Sequence, residues 1–260
     1  TSILAVTFTN KAAQEMRERI ESLAGRKVLV CTFHSLGCRF LREFIHHIGY
    51  SNDFVIYDED ESQKVLKSVI RDLFGTIQEK DVDTFRSAIS NIKNGKRADA
   101  HSERAYESYQ AMLKRSQAVD FDDLIFLPLQ IMQEKPEVLN EIQSRWKYIL
   151  VDEYQDANDT QSMLARYLAG DESNIFAVGD PDQSIYSWRG ANIQHILNFQ
   201  EHYPAAQVFR LEQNFRSTTA ILSASNAVIE KNVKRLEKRL WSSSGDGSKL
   251  GCFVSRAERE

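Results

Sequence analysis

The sequence predicts an α/β fold: a parallel sheet with helices on both faces, a helical insertion, and the start of a second domain. Three observations carry that reading. Five short apolar runs rich in β-branched residues (Ser2–Phe8, Lys27–Phe33, Tyr148–Val151, Ile175–Val178 and Val208–Leu211) read as strands. Their apolar residues are continuous rather than alternating, as in strands covered on both faces. Residues 58–121, by contrast, hold no convincing strand and repeat apolar residues at helical spacing.

Taken in order, the first two runs bracket a helix. Asn10 is a plausible N-cap, Ala13, Met16, Ile20 and Leu23 make an apolar stripe, and Gly25 suits the C-cap. Within 58–121, Val65, Leu66, Val69, Ile70, Leu73 and Phe74 share one helical face, and Tyr106, Tyr109, Met112 and Leu113 another. The polar span Asn91–His101 reads as the loop between them. After the fifth run a helix is expected over Thr218–Val233, then a loop at Ser242–Ser248. The expected division is residues 1–57 and 122–210 as one domain, 58–121 as its insertion, and 211–260 as the beginning of a second.

Composition narrows the function classes. The 260 residues are 42% hydrophobic and 27% charged, ordinary for a globular protein, and the net charge of −4 excludes a uniformly basic nucleic-acid binder. Charge is nonetheless uneven. Residues 1–50 hold seven Lys/Arg against four Asp/Glu, and Lys231, Lys234, Arg235, Lys238 and Arg239 form a basic run. Residues 151–180 hold seven acids and one base, which suits a metal–phosphate site. Cys31, Cys38 and Cys252 form no ligand pattern and read as reduced thiols. With no membrane-length apolar run and no leader, a cytoplasmic protein is expected, and an opening at Thr1 without methionine reads as a cut start.

Chemistry concentrates at the ends of the apolar runs. Tyr148–Val151 ends in Asp152 and Glu153, and ligands of open α/β sheets bind at the carboxyl ends of strands. Asp152 suits a Mg²⁺ ligand and Glu153 a base that polarises the attacking water; solvated acids at a strand end or a helix N-cap fit the pair equally. Ile175–Val178 leads into Gly-Asp-Pro-Asp-Gln183, where Gln183 can sense a γ-phosphate if the two strands are parallel neighbours, or simply belong to a turn. Tyr186 and Trp188 alternate, so an extended backbone would aim both rings the same way as a platform for bases, beside Arg189. Core packing is the competing use of such rings. Thr7 and Phe8 follow the first run, and Thr32, Phe33 and His34 the second, pairing hydroxyls with aromatic groups suited to phosphate and base contact. Arg216 stands before a helix near the expected domain boundary, as an arginine finger or a surface ion pair.

Together the strings AVTFTNKAAQEMRERI, TFHSLGCRFLR, VDFDDLI, ILVDEYQDANDTQ, AVGDPDQSIYSWRGANIQ and LEQNFRSTTAIL resemble the motor core of the UvrD/PcrA/Rep-type superfamily 1 DNA helicases. The resemblance implies a RecA-like P-loop NTPase fold, with ATP and Mg²⁺ as cofactors and single-stranded DNA or single-strand/duplex junctions as partners. It implies 3′ to 5′ movement on DNA in repair or replication, and DNA-repair proteins as further partners. It assigns Asp152 to Mg²⁺, Glu153 to the catalytic base, Gln183 to γ-phosphate coupling, Arg216 to the stimulatory arginine and Phe215 to the adenine. Phe8, Thr32, Phe33, His34, Tyr186, Trp188 and Arg189 would line the DNA path.

One part of that family's site has no counterpart. A phosphate-cradling loop needs G-x-x-x-x-G-K-[ST], and the single Gly-Lys pair, Gly95-Lys96, has Ser90 in place of the first glycine and is followed by Arg97. The resemblance puts that loop just upstream of Ser2 and the rest of the second motor domain after Glu260. The chain therefore reads as an internal fragment, expected to be inactive alone as an ATPase. Two other readings remain: a non-catalytic DNA-binding module, and a motor subunit of a helicase–nuclease recombination complex.

Overall fold

The computed structural model describes residues 2–75, 78–170, 174–232 and 235–254. Along the chain the elements are β1 (Ile3–Thr7), α1 (Asn10–Ala24), β2 (Leu29–Thr32), α2 (Phe33–Phe44), β3 (Val55–Ile56), α3 (Glu59–Phe74), α4 (Glu79–Lys93), α5 (Ala100–Arg115) and β4 (Ala118–Val119). They continue with α6 (Asp123–Glu134), α7 (Pro136–Arg145), β5 (Tyr148–Val151), α8 (Asp159–Ala169), β6 (Ile175–Ala177), α9 (Gln194–Leu197), α10 (Phe199–His202) and α11 (Thr219–Ile229). The chain forms two compact units, residues 1–180 with 184–196, and residues 181–183 with 197–260.

The first unit is built on a four-stranded sheet in the order β2-β1-β5-β6, parallel throughout. Leu4, Ala5, Val6 and Thr7 are consecutive and each is at most 1% exposed. Because successive strand residues point to opposite faces, this burial means that helices cover both. The continuous apolar runs of the sequence are the signature of that arrangement. Helix α1 lays Ala13, with Met16 and Ile20, on Ala5, Val30 and Leu150. Its N-cap is Thr9 rather than Asn10: the Thr9 hydroxyl accepts from the Ala12 N–H at 3.1 Å, and Asn10 is the first helical residue. Gly25 closes the helix in the left-handed conformation, as expected. Leu23, expected on the stripe, is 82% exposed. A 15-residue helix is about 22 Å long and a five-residue strand about 17 Å, so the last turn overhangs the sheet.

Residues 59–115 form three helices whose own core contains Leu66, Val69, Ile70, Val82, Ile89, Tyr109 and Leu113. The helical spacing read from the sequence is thus the spacing of this core. Two expectations are corrected here. Residues 58–121 do contain a strand, β4, which pairs with β3 in parallel through two residues each, too few to leave a periodic trace. The loop expected over Asn91–His101 narrows to 94–99, because α4 continues to Lys93 and Asp99 caps α5.

Among the described residues the second unit has no sheet. The strand expected at Val208–Leu211 is absent: Val208, Phe209 and Leu211 are 53%, 75% and 85% exposed. A strand needs a neighbour for its backbone, and the pairing found there is an isolated bridge between Gln213 and Trp241. Helix α11 stops at Ile229, and Val233, the expected end, lies outside the described residues.

One contact fixes how α2 crosses α6. A Cβ built on Gly37 would lie 1.6 Å from the backbone oxygen of Leu124. Backbone cannot yield as a flexible side chain can, so only glycine permits this approach. Gly37→Ala is expected to destabilise the fold by about 1–3 kcal/mol, as overpacking does. Urea unfolding should show a lower midpoint at unchanged slope, and an unchanged midpoint would contradict the crossing.

Candidate functional site

Strand β5 ends at Val151, and the next two residues are the acid pair. Asp152 keeps its backbone in the sheet, its N–H donating to the Val6 oxygen at 2.9 Å. The Thr7 hydroxyl donates to the Asp152 carboxylate at 3.4 Å. Burial first, and the neighbouring Glu153 charge second, raise the Asp152 carboxyl above its ordinary value. Glu153 leaves the strand with φ 52° and ψ 39°, in the left-handed region that non-glycine residues seldom enter. Such a conformation costs on the order of 1–3 kcal/mol and persists only where surrounding contacts enforce it.

Gln155 supplies such a contact. Only 2% exposed, it donates through Nε2 to the Glu153 carboxylate at 2.8 Å and accepts the Asp180 N–H through Oε1 at 3.0 Å. The Tyr154 N–H meanwhile bonds the Val178 oxygen at 2.9 Å. A Cβ on Gly179 would lie 2.6 Å from Gln155 Oε1, 2.7 Å from Ile196 Cδ1 and 3.0 Å from the Tyr154 nitrogen, so any side chain there would push Gln155 from its present place. Sequence reasoning missed Gln155. Its signal was there, an amide two residues after a strand-terminal acid pair, which can reach back to the carboxylate once the chain turns.

The same β6 loop is secured further along. The Asn192 N–H bonds the Ala157 oxygen at 2.9 Å, and Asn192 Nδ2 and His195 Nε2 both meet Asp159 Oδ1 at 2.8 Å. Between these ties the backbone at 187–189 is a 3-10 turn, with Tyr186 at φ −105° and ψ 23°. The expectation of an extended backbone aiming Tyr186 and Trp188 the same way is therefore wrong. Both rings are nonetheless exposed, by 39% and 73%. The Arg189 side chain lies outside the described residues.

Of the residues expected to meet DNA directly, three are buried. Thr7 is fully buried against Asp152, so it serves the acid pair. The Thr32 hydroxyl accepts the Ser35 N–H at 3.2 Å and is the N-cap of α2. Phe33 is 1% exposed and packs edge-on behind Phe8, ring centroids 5.4 Å apart. These strand-end residues read as contacts because strand ends carry them, but the first residues of a helix packed on a sheet also face inward. Phe8 and His34 are partly buried. His34 stacks at 4.2 Å and 28° on Phe121, which is 60% exposed and was also missed. An aromatic set among Asp120, Asp122 and Asp123 was its sequence signal.

Phe121 and Trp188 both line a cleft of about 820 Å³ beneath the inserted helices. Its rim carries five carboxylates (Asp58, Glu59, Asp120, Asp122, Asp159) and two cations (Arg86, Lys96). That balance suits the stacking of a base better than a grip on phosphates. In the second unit, Gln183 ends a 3-10 turn and is exposed. Phe215 is 80% exposed, and Asn214 Oδ1 accepts the N–H groups of Arg216 and Ser217 in a tight turn that leaves the Arg216 side chain exposed.

Among the described residues no three His, Cys, Asp or Glu side chains converge on a metal position. A hard cation at Asp152 would therefore complete its oxygen shell from the Thr7 hydroxyl, water and phosphate, a set that Mg²⁺ accepts. No described helix is long and apolar enough to cross a membrane.

Residues 1–204 match the family described as UvrD/REP helicase N-terminal domain. The chain is 46% identical to the ATP-dependent DNA helicase PcrA of Leuconostoc citreum, over 99% of this chain and 37% of that protein. It is 42% identical to proteins of the same name from Staphylococcus aureus and Staphylococcus epidermidis, over 100% of this chain and 38% of each. The chain thus spans well under half the length of these relatives.

Burial lowers the His34 pKa from 6.5 to about 4. The folded state then holds fewer protons than the unfolded chain between those values, so stability rises with pH across that window and falls as pH drops from 6.5 towards 4. In denaturant titrations at pH 7 and pH 4.5, His34→Gln should lose less stability than the parent on acidification. An identical loss in both would exclude His34 as the titrating group.

Proposed function

Because this chain belongs to the UvrD/REP helicase family, we propose that it is the larger part of the first motor domain of an ATP-dependent DNA helicase. In this reading residues 1–57 and 122–210 form the RecA-like motor, 58–121 its helical insertion, and 211–260 the beginning of a second motor domain. The parent protein moves 3′ to 5′ on single-stranded DNA in the cytoplasm, serving repair or replication. The 260 residues alone lack a phosphate-cradling loop and do not turn ATP over.

The observation that carries the reading is the strained acid at the end of β5. Glu153 is turned out of the strand and tied by Gln155 to the β6 loop, and a carboxylate fixed in this way supports its reading as the general base. Asp152 holds the Mg²⁺ that accompanies ATP, whose charge offsets that of the phosphates. Glu153 takes the proton from the attacking water, Gln183 senses the γ-phosphate, Phe215 lies by the adenine, and Arg216 supplies positive charge to the γ-phosphate. Phe8, His34, Phe121, Tyr186 and Trp188 form the base-stacking face, with Arg189 on the backbone. The cleft shared by Phe121 and Trp188 supports this assignment.

In the full-length protein, Glu153→Gln should lower DNA-stimulated ATP hydrolysis by about 10²–10⁴-fold, the usual worth of a positioned base, with nucleotide binding retained. Hydrolysis at the parental rate would remove Glu153 from the chemistry. Trp188→Ala should weaken binding of an oligothymidine by about 1–3 kcal/mol. Unaltered affinity would make Trp188 a packing residue. Unwinding of duplexes with 3′ tails but not 5′ tails checks the direction.

A further inference from the structure

We propose that Lys93, a residue with no part in the ATP chemistry, is a positioning residue for the single-strand path: it holds the turn that presents Phe121. The proposal rests on the reading of Phe121 and His34 as part of the base-stacking face.

Lys93 is the last residue of α4, and its side chain has no exposure at all. Its ammonium lies 2.6 Å from Asp120 Oδ2 and 2.8 Å from Asp123 Oδ1. The carboxylates are themselves saturated. The Tyr109 hydroxyl donates to Asp120 at 3.0 Å, Gln110 Nε2 donates to Asp123 at 3.0 Å, and each aspartate accepts the other's backbone N–H, at 2.9 and 3.1 Å. Burial by itself would depress the lysine's pKa, but Asp123 and Asp120 more than offset this and hold it charged, although burial raises the Asp123 carboxyl to about 7 while Lys93 keeps Asp120 low.

Phe121 sits inside this clasp. Residues 120 and 123, on either side of Phe121, are bonded to each other and to Lys93. The turn is therefore gripped on both sides of Phe121, whose ring is left to project onto His34 and the cleft. Nothing in core packing asks for a charge here; a methionine would fill the volume, and well-packed apolar replacements of buried ion pairs are often neutral for stability. What an ammonium between two carboxylates supplies is one fixed geometry for the turn. A ring held before a base arrives loses less freedom on stacking.

The test uses the full-length protein. Lys93→Met leaves two buried carboxylates uncompensated and risks the fold, so it is paired with the neutral K93M/D120N/D123N variant. Binding of an oligothymidine and DNA-stimulated ATPase are measured for both, for Phe121→Ala, and for Phe121→Ala in the neutral background. The neutral variant is expected to need about tenfold more DNA for half-saturation, the equivalent of one base stack. Its turnover at saturating DNA should stay within about twofold of the parent. Phe121→Ala should lose as much, and combining the two should lose no more. Full DNA affinity in the folded neutral variant, or additive losses in the combination, overturns the proposal. Unchanged affinity in Phe121→Ala instead overturns the reading of the stacking face on which the proposal rests.

Discussion

A parallel sheet buried on both faces can carry polar chemistry only at its ends, and the first unit is organised by that constraint. Strand β1 spends its length on apolar residues, with Leu4, Ala5 and Val6 at 1% exposure or less, and β5 buries Ile149 and Val151. Residues beyond the last paired one must then satisfy their own polar groups or be functional. Thr7, the last residue of β1 and still paired with Thr32, lies at that edge beside Asp152 and Glu153, because the β1–β5 pairing ends at Val6 and Val151. Hydroxyl and acids are neighbours because the register makes their strands end together.

The same constraint explains why the acid pair needs help. Leaving the sheet at the end of β5, the chain turns through a left-handed glutamate rather than a glycine. Backbone strain of this kind is tolerated where surrounding bonds over-determine it, and Gln155 and the Tyr154–Val178 bond do so here. Gly179 is the complement of Gln155: the amide fits because the residue opposite has no side chain. Strain, amide and glycine are one device.

Much of this was legible in the sequence, and the rest was hidden for physical reasons. The parallel sheet, α1 and the inserted helices follow from periodicity, which reports burial directly. The acid pair and the β6 loop were legible because strand-end chemistry is local in sequence. Gln155 and Phe121 were not, since their roles depend on partners brought by the fold, Asp180 for one and His34 for the other. Thr32 and Phe33 misled for the converse reason: hydroxyls and aromatics at a strand end fit a ligand surface and a helix cap equally, and only burial separates them. The strand at 208–211 failed because apolar content cannot say whether a partner strand is present.

The loop after β6 carries the exposed rings of Tyr186 and Trp188, and its supports all come from one short segment. It is tied at Asp180 by Gln155, at Asn192 by the Ala157 oxygen, and at Asn192 and His195 by Asp159. All of these anchors fall in the segment 153–159, the turn that begins with the strained glutamate. That turn therefore holds the loop near both of its ends. On the opposite wall of the cleft, Phe121 is held by a separate buried network centred on Lys93. One wall of the cleft is thus attached to the turn that carries the acid pair, and the other to the inserted helices.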